Sequence, residues 1–195
     1  MVAPNTSILC PDLPERCLPT GGDVEAMLIE LLLHGYDDGC RYLRRAEVDL
    51  PFGRGVFKAD YTFTTKKRSD VGHFSAFEHV VMFNQLAYVT FAKGFLDGYF
   101  TDLPEVALGD FQALQQYGMY ILAIDRVRYV RSFPANEEFL GVLEVLDREY
   151  KPAKQLYLAH VRTEFAEGRA LGEFTVALKR RDLGRAEDVP ARAAS

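Results

Sequence analysis

Five polar side chains stand close together in a stretch of the sequence that is otherwise largely apolar. His73, Ser75 and Glu78 lie at its start, and Asn84 and Gln85 lie in its middle. An imidazole can transfer a proton, and a side-chain amide can orient a nucleophile or an oxyanion. If the stretch is a helix that begins near Ser75, its unpaired N–H groups would also attract a carbonyl oxygen. These residues therefore indicate a site for proton transfer and carbonyl polarisation.

The same side chains also have structural interpretations. Ser75 and Glu78 have the three-residue spacing of a capping box, in which each side chain accepts from the other residue's backbone N–H. His73 could instead bond a backbone carbonyl of its own loop. Asn84 and Gln85 need partners, because an unpaired buried amide costs about 1–3 kcal/mol. We expect one amide to bond inside the core or across a subunit seam, and Asn84 to face the site.

Three further candidates lie outside this stretch or just before it. Tyr36 lies in the predicted loop before the first strand, where a tyrosine either packs or lines a site. The basic run Lys66, Lys67 and Arg68 directly precedes the predicted site. Such a run is either a solvated face or a binding surface for anionic groups. We expect Tyr36, Lys67, Arg68 and Glu78 to contact substrate, whereas structural roles are expected for the remaining histidines, His34, His79 and His160.

The stretch from Gly72 to Leu96 predicts the element that positions these groups. Almost every side chain from Val80 to Ala92 is apolar, and a helix that is apolar all round is buried all round. A helix of about 20 residues is long enough to span a membrane, but the polar residues at its start and middle argue against that. We predict one continuous core helix from Ser75 to about Leu96.

The remaining pattern predicts an α+β domain. Asp23 is expected to cap an amphipathic helix that Gly35 ends. Alternating apolar residues indicate strands in both halves of the chain, and a short helix is expected over 108–118. The predicted strands are 40–50, 55–63, 119–133, 138–150, 155–168 and 170–180. Strands on both sides of one long helix in the sequence predict a mostly antiparallel sheet wrapped around that helix, which is the hotdog fold.

Domain limits and composition restrict the class of protein. We expect an irregular arm over 1–22, one domain over 23–181 and a polar tail over 182–195. A net charge of −5 gives no reason to expect nucleic acid as a partner. The three cysteines, Cys10, Cys17 and Cys40, are widely spaced and odd in number, which predicts neither a disulfide framework nor a zinc site. Cys40 is expected to be buried in the first strand, without a histidine to activate it. No signal-peptide pattern is present, so we expect a cytoplasmic protein.

Three motifs carry a resemblance to a known family. GCRYL at 39–43, GHFS at 72–75 and FNQLAY at 83–88 resemble the FcoT-like family of actinobacterial hotdog enzymes, over roughly 24–180. The family acts on fatty-acyl thioesters. It includes long-chain acyl-CoA thioesterases, and enzymes of isonitrile lipopeptide biosynthesis that add glycine to a (2E)-enoyl-acyl carrier protein. The sequence departs from the mycobacterial pattern in two places. Mycobacterial members have an Asn directly after GHF, where this chain has Ser75. They have a Tyr before GHF, near the place of Lys67 in this chain.

A more distant similarity concerns the hotdog 3-hydroxyacyl-carrier-protein dehydratases. In those enzymes a histidine of a GHF-type motif precedes the helix and an acid lies within it. His73 matches the histidine, and Asn84 falls where the acid would be. Replacing the acid by an amide removes a proton donor and leaves a group that can orient an amine, which needs less activation than water. By this analogy, His73, Ser75 and Asn84 are the candidate catalytic residues.

The resemblance implies a function and its partners. The expected reaction is addition of glycine to the β-carbon of an enoyl-acyl carrier protein, with no cofactor and no metal. The expected partners are the carrier protein with its enoyl-phosphopantetheine thioester, glycine, and further copies of the chain, since family sites lie at a subunit seam. No nucleic acid or membrane partner is expected. Thioester hydrolysis is the main alternative, and a non-catalytic acyl-binding module is the second.

Overall fold

The computed structural model describes residues 22–58, 76–100, 111, 115, 119–131 and 137–179. Short 3-10 turns over Asp38–Cys40 and Pro152–Lys154 connect some of the longer elements. In chain order the elements are α1 (Asp23–Leu33), β1 (Leu43–Asp49), β2 (Phe52–Phe57), α2 (Ala76–Leu96), β3 (Met119–Tyr129), β4 (Phe139–Lys151), β5 (Leu156–Phe165) and β6 (Ala170–Lys179).

The strands form one six-stranded sheet in the order β1-β2-β4-β5-β6-β3. Every neighbouring pair is antiparallel, which confirms the predicted antiparallel sheet. The turn between β5 and β6 holds Ala166, Glu167 and Gly168 at positive φ, a conformation that glycine adopts without strain. The sheet therefore gives α2 a continuous surface to pack against.

The predicted core helix is α2, and it is buried along most of its length. Side chains on several of its faces are inaccessible, among them Met82, Leu86 and Phe91. Phe83 stacks on Phe174 of β6 with ring centroids 3.9 Å apart, which fixes the helix to the sheet. Among the described helices, none combines the length and apolar character needed to cross a bilayer.

The arrangement is consistent with the hotdog prediction in its sheet and its buried helix, but α2 is not the only helix in the core. Helix α1 packs against α2 and β1. It buries Leu28, Leu32 and Leu33 completely or almost completely. The described part of the fold therefore has two packed helices, and a single central helix is not shown.

Three local predictions are corrected by the structure. Gly22, and not Asp23, is the N-cap of α1, and Asp23 is its first residue. At that position the Asp23 carboxylate still interacts favourably with the helix dipole. Strand β2 begins at Phe52, earlier than predicted, because Phe52 already pairs with Asp49 of β1 and Glu144 of β4. Gly53 is a packing glycine within this strand, since a Cβ there would meet the Thr90 hydroxyl of α2. Cys40 is half-buried in a 3-10 turn and does not lie in a strand.

Several predictions concern residues outside the described ranges. These are the N-terminal arm over 1–21, the end of the second predicted strand over 59–63, most of the predicted helix over 108–118, and the tail over 182–195. Of the short helix, only Phe111 and Gln115 are described, and both are helical. The domain limits therefore stay predictions.

Candidate functional site

A buried side chain of α2 holds the segment before β1 in place. The Gln85 Oε1 atom accepts hydrogen bonds from the backbone N–H groups of Tyr42 and Leu43, both at 2.9 Å. Its Nε2 atom donates to the Cys40 carbonyl at 2.5 Å. Gln85 is fully buried, and these three bonds occupy both ends of its amide. One of the two helix amides thus bonds within the core, as predicted.

The loop between α1 and β1 is also held from within. The Arg41 guanidinium donates from Nε to the Tyr36 carbonyl at 3.1 Å and from Nη2 to the His34 carbonyl at 2.9 Å. The Tyr36 amide donates to the Leu33 carbonyl at 3.0 Å. These bonds fix the backbone on both sides of Tyr36. Together with Gln85 they set where the Tyr36 ring lies relative to α2.

The Tyr36 side chain meets Tyr88 of α2. A side-chain hydrogen bond joins the two residues, and Cys40 lies close enough to interact electrostatically with Tyr36. Burial is the largest cause that raises the pKa of Tyr36, and the bond to Tyr88 raises that pKa further. Burial also raises the pKa of Tyr88, while the bond to Tyr36 opposes that rise. Both phenols keep their protons at neutral pH.

The partly exposed face of α2 carries Asn84. Between Phe77 and Tyr88, the residues of α2 that keep some exposure recur at helical spacing, and they are Phe77, Val80, Val81, Asn84 and Tyr88. Asn84 makes no side-chain hydrogen bond to another described residue, in contrast to Gln85 beside it. Tyr88 lies one turn, about 6 Å, beyond Asn84 on the same face. Helical side chains generally lean towards the helix N-terminus, which for Tyr88 is the direction of the turn that contains Asn84.

The side chains of Glu78 and His79 point away from the face of α2 that carries Asn84. At 3.6 residues per turn, Glu78 points about 120° away from Asn84. Glu78 is fully buried, and its charge contributes to raising the pKa of Tyr129, for which burial is the larger cause. The structure therefore does not bring Glu78 to the Asn84 face.

His79 joins the first turns of α2 to the sheet. Its Nε2 atom lies 3.1 Å from the Thr163 hydroxyl of β5, and its ring meets Phe165 edge-on at 4.9 Å. A Cβ on Gly172 would lie 2.6 Å from Nε2, so only glycine leaves room for the imidazole there. Burial lowers the pKa of His79 to about 4, which keeps the ring neutral at pH 7. This geometry agrees with the structural role expected for His79.

Four of the candidate residues from the sequence lie outside the described ranges: His73, Ser75, Lys67 and Arg68. Their roles stay predictions. Of the candidates that are described, Tyr36 bonds to Tyr88 through its side chain, and Asn84 lies one helical turn before Tyr88. Tyr88 was not among the sequence candidates, although its spacing of four residues from Asn84 is the signal that places both on one face.

The described cluster of Asn84, Tyr88, Tyr36 and Cys40 (the Asn84 cluster) combines an amide with phenolic and thiol groups next to an apolar helix face. An amide and a phenol can both hydrogen-bond a carbonyl oxygen, and the amide can also accept from an amine. Apolar side chains around a few such groups are typical of small-molecule sites. In the described ranges, no three His, Cys, Asp or Glu side chains form a group that could hold a metal ion.

The two adjacent amides of α2 give a first prediction, because one is bonded and the other is not. Gln85→Leu leaves two N–H groups and one carbonyl unpaired near the core, so we expect a loss of at least about 2 kcal/mol in the free energy of unfolding. Asn84→Leu breaks no bond to a described residue and should change that free energy by less than about 1 kcal/mol. Urea unfolding of both variants measures the difference. Equal destabilisation by the two changes would show that the Asn84 amide is structural.

Comparison with known proteins places this geometry in a family. The family described as "FcoT-like thioesterase domain" matches residues 31–178, which is well over half of the chain and includes α2 and nearly the whole sheet, but only the last three residues of α1. A curated relative from Streptomyces coeruleorubidus, a (2E)-enoyl-[ACP] glycyltransferase, is 29% identical over 163 residues. That alignment covers 78% of this chain and 95% of the relative.

Solved structures of low sequence identity also align with the chain. A thioesterase superfamily protein from Shewanella loihica PV-4 is 13% identical, with a TM-score of 0.43, over 75% of this chain and 96% of that one. AziG from S. sahachiroi is 13% identical, with a TM-score of 0.41, over 71% and 92%. No conclusion rests on these likenesses, because both scores lie below 0.5. The match over residues 31–178 is sufficient by itself: the chain belongs to the FcoT-like thioesterase domain family.

Proposed function

We propose that the protein adds glycine to the β-carbon of an α,β-unsaturated fatty acyl-acyl carrier protein, as a step of isonitrile lipopeptide biosynthesis. The observation that carries this choice of reaction is the likeness to the (2E)-enoyl-[ACP] glycyltransferase over 95% of that relative's length. The position of Asn84 supports it, because a half-buried amide without a described partner replaces the acid that water addition would need.

The proposed reaction keeps the thioester intact. The glycine nitrogen attacks the β-carbon, and the double-bond electrons move towards the thioester carbonyl as an enolate. The attacking nitrogen gives up a proton and the α-carbon takes one, so the proton count balances and the C–S bond is unchanged. Asn84 orients the amine, and His73 carries the proton between nitrogen and carbon.

The remaining candidates bind and orient the substrate in this proposal. Ser75 and the N-terminal turn of α2 attract an anionic group of the ligand. Lys67 and Arg68 hold the phosphopantetheine phosphate, the acidic carrier or the glycine carboxylate. Tyr36 packs along the bound chain. Glu78, which is fully buried, supports the entrance turn of the helix, and no cofactor takes part.

The proposal includes a subunit seam. Nine residues separate Ser75 from Asn84, which is about 13 Å along a helix. His73 and Asn84 therefore meet only if the loop folds back along α2 or if they come from different subunits. We propose a homo-oligomer of hotdog subunits, at least a dimer, in the cytoplasm, in which the partly exposed face of α2 lies at the seam.

Thioester hydrolysis is the second candidate, because the family itself is described by that activity. Both reactions place an acyl thioester against α2 and differ in the atom attacked. Hydrolysis needs a base that activates water at the carbonyl carbon, and the Asn84 cluster contains no carboxylate. A non-catalytic acyl-binding module is the third reading.

The function is tested by the mass of the carrier-bound product. Purified protein, glycine and crotonyl-loaded carrier protein are incubated, and the intact carrier is weighed by mass spectrometry. We expect the acyl group to gain one glycine while the thioester remains. Loss of the acyl group would instead identify a thioesterase, and an unchanged carrier would identify a binding module. Carrier loaded with a saturated butyryl chain is the matched control, because it has no electrophilic β-carbon.

A second prediction concerns the amide itself. Asn84→Asp changes size very little but replaces a neutral donor by a carboxylate, so we expect glycine addition to fall by about 100-fold or more, which is typical of losing an orienting group. Water addition to the same substrate should then become detectable. The site lies elsewhere if both Asn84→Asp and His73→Ala retain near-wild-type addition with an unchanged melting temperature.

The third prediction concerns the basic run. Single exposed ion contacts contribute only about 0–1 kcal/mol, so the fair test is the double variant Lys67→Ala/Arg68→Ala. We expect its KM for the carrier or for glycine to rise several-fold, with a smaller change in kcat. Raising the salt concentration should reduce the difference from wild type, because salt screens exposed charges. An unchanged KM for both substrates would mean that the run is only a solvated face.

A further inference from the structure

Tyr88 connects the helix face that carries Asn84 to the loop that carries Tyr36. It lies on the same face of α2 as Asn84, and helical side chains generally lean in the direction of the turn that Asn84 occupies. From the other side it meets Tyr36, whose loop is fixed to α2 by Gln85 and closed on itself by Arg41. The Tyr88 hydroxyl is therefore bonded to a residue of a fixed loop, and Tyr88 lies one helical turn beyond an amide that makes no bond to a described residue.

A hydrogen bond joins the two phenols. Each phenol has one proton to donate and can also accept, so one bond between them uses only one of their two protons. The other proton is left for a further acceptor. When Tyr36 donates to Tyr88, the Tyr88 proton is the one left, on the helix face that carries Asn84. Accepting one hydrogen bond also strengthens the next donation along a chain.

We propose that the Tyr88 hydroxyl donates a hydrogen bond to the thioester carbonyl oxygen of the bound acyl chain. In the addition reaction this oxygen gains negative charge as the double-bond electrons move towards it, and a fixed donor at that point lowers the barrier. Asn84 then serves the amine and Tyr88 the carbonyl, one helical turn apart, while Tyr36 is a positioning residue that acts through Tyr88. The inference rests on the proposed function only for the identity of the ligand as an acyl thioester.

The most direct readout is the carbonyl itself and does not require turnover. The probe is butyryl-pantetheine labelled with ¹³C at the carbonyl carbon, a saturated thioester to which no amine can add. A hydrogen bond to the oxygen should move the ¹³C resonance downfield when the probe binds the wild-type protein. We expect Tyr88→Phe to abolish this shift and Tyr36→Phe to reduce it. Tyr120→Phe, a change on an exposed tyrosine of β3, should leave the shift as in wild type.

Kinetics of the same variants separate a carbonyl donor from a packing residue. We expect Tyr88→Phe to lower kcat for glycine addition by about 100-fold, to leave KM within about threefold, and to keep the melting temperature, since phenylalanine retains the ring. A wild-type-like ¹³C shift in Tyr88→Phe, or no shift even in wild type, would overturn the proposal. If the shift depends on Tyr88 but the wild type forms no glycine adduct, the donor is correct and the proposed function alone fails.

Discussion

The described part of the site depends on one buried amide. Gln85 satisfies three backbone groups of the segment before β1, and all of them would otherwise be left unpaired beside the core at a cost of about 1–3 kcal/mol each. A strand edge and a helix cannot exchange backbone hydrogen bonds, so a side chain has to bridge them. Because Gln85 does this, the loop that carries Tyr36 has a fixed position relative to α2, and the partly exposed face of the helix acquires a polar neighbour.

The two adjacent amides of α2 have different surroundings, which allows both to lie in the middle of an otherwise apolar helix. Asn84 and Gln85 differ by about 100° in direction, so one points at β1 and the other at the partly exposed face. Burying the first costs little, because all its bonds are made. In the proposed site, the second retains an amide for the ligand at the border of an apolar surface, where hydrogen bonds are stronger than in water. If both amides were structural, none would be left for the proposed ligand. If both were exposed, the bonds that Gln85 makes to the segment before β1 would be lost.

Local pattern predicted much of this fold, and the errors have physical causes. The apolar run of α2 and the alternating strands follow from burial, which periodicity records directly. The sequence predicts β2 only from Gly55, because sequence alone does not show that Phe52 and Gly53 pair with β4 or that Thr90 approaches Gly53 from the helix. Tyr36 and Asn84 were candidates from their surroundings in the chain. Tyr88 was not, because its importance comes from a contact with Tyr36 across 52 positions of sequence, and such a pairing follows from packing and not from spacing.

The account is tested most directly by a structure of the protein, without glycine, with a poorly reactive mimic of the enoyl thioester, in which the sulfur is replaced by an NH group to give an α,β-unsaturated amide. We predict the carbonyl oxygen about 2.7–3.1 Å from the Tyr88 hydroxyl. We predict the β-carbon facing Asn84, with room for an amine nitrogen about 3–3.5 Å away. The mimic bound at another surface, with the Asn84 face of α2 covered by this chain's own residues, would contradict the account.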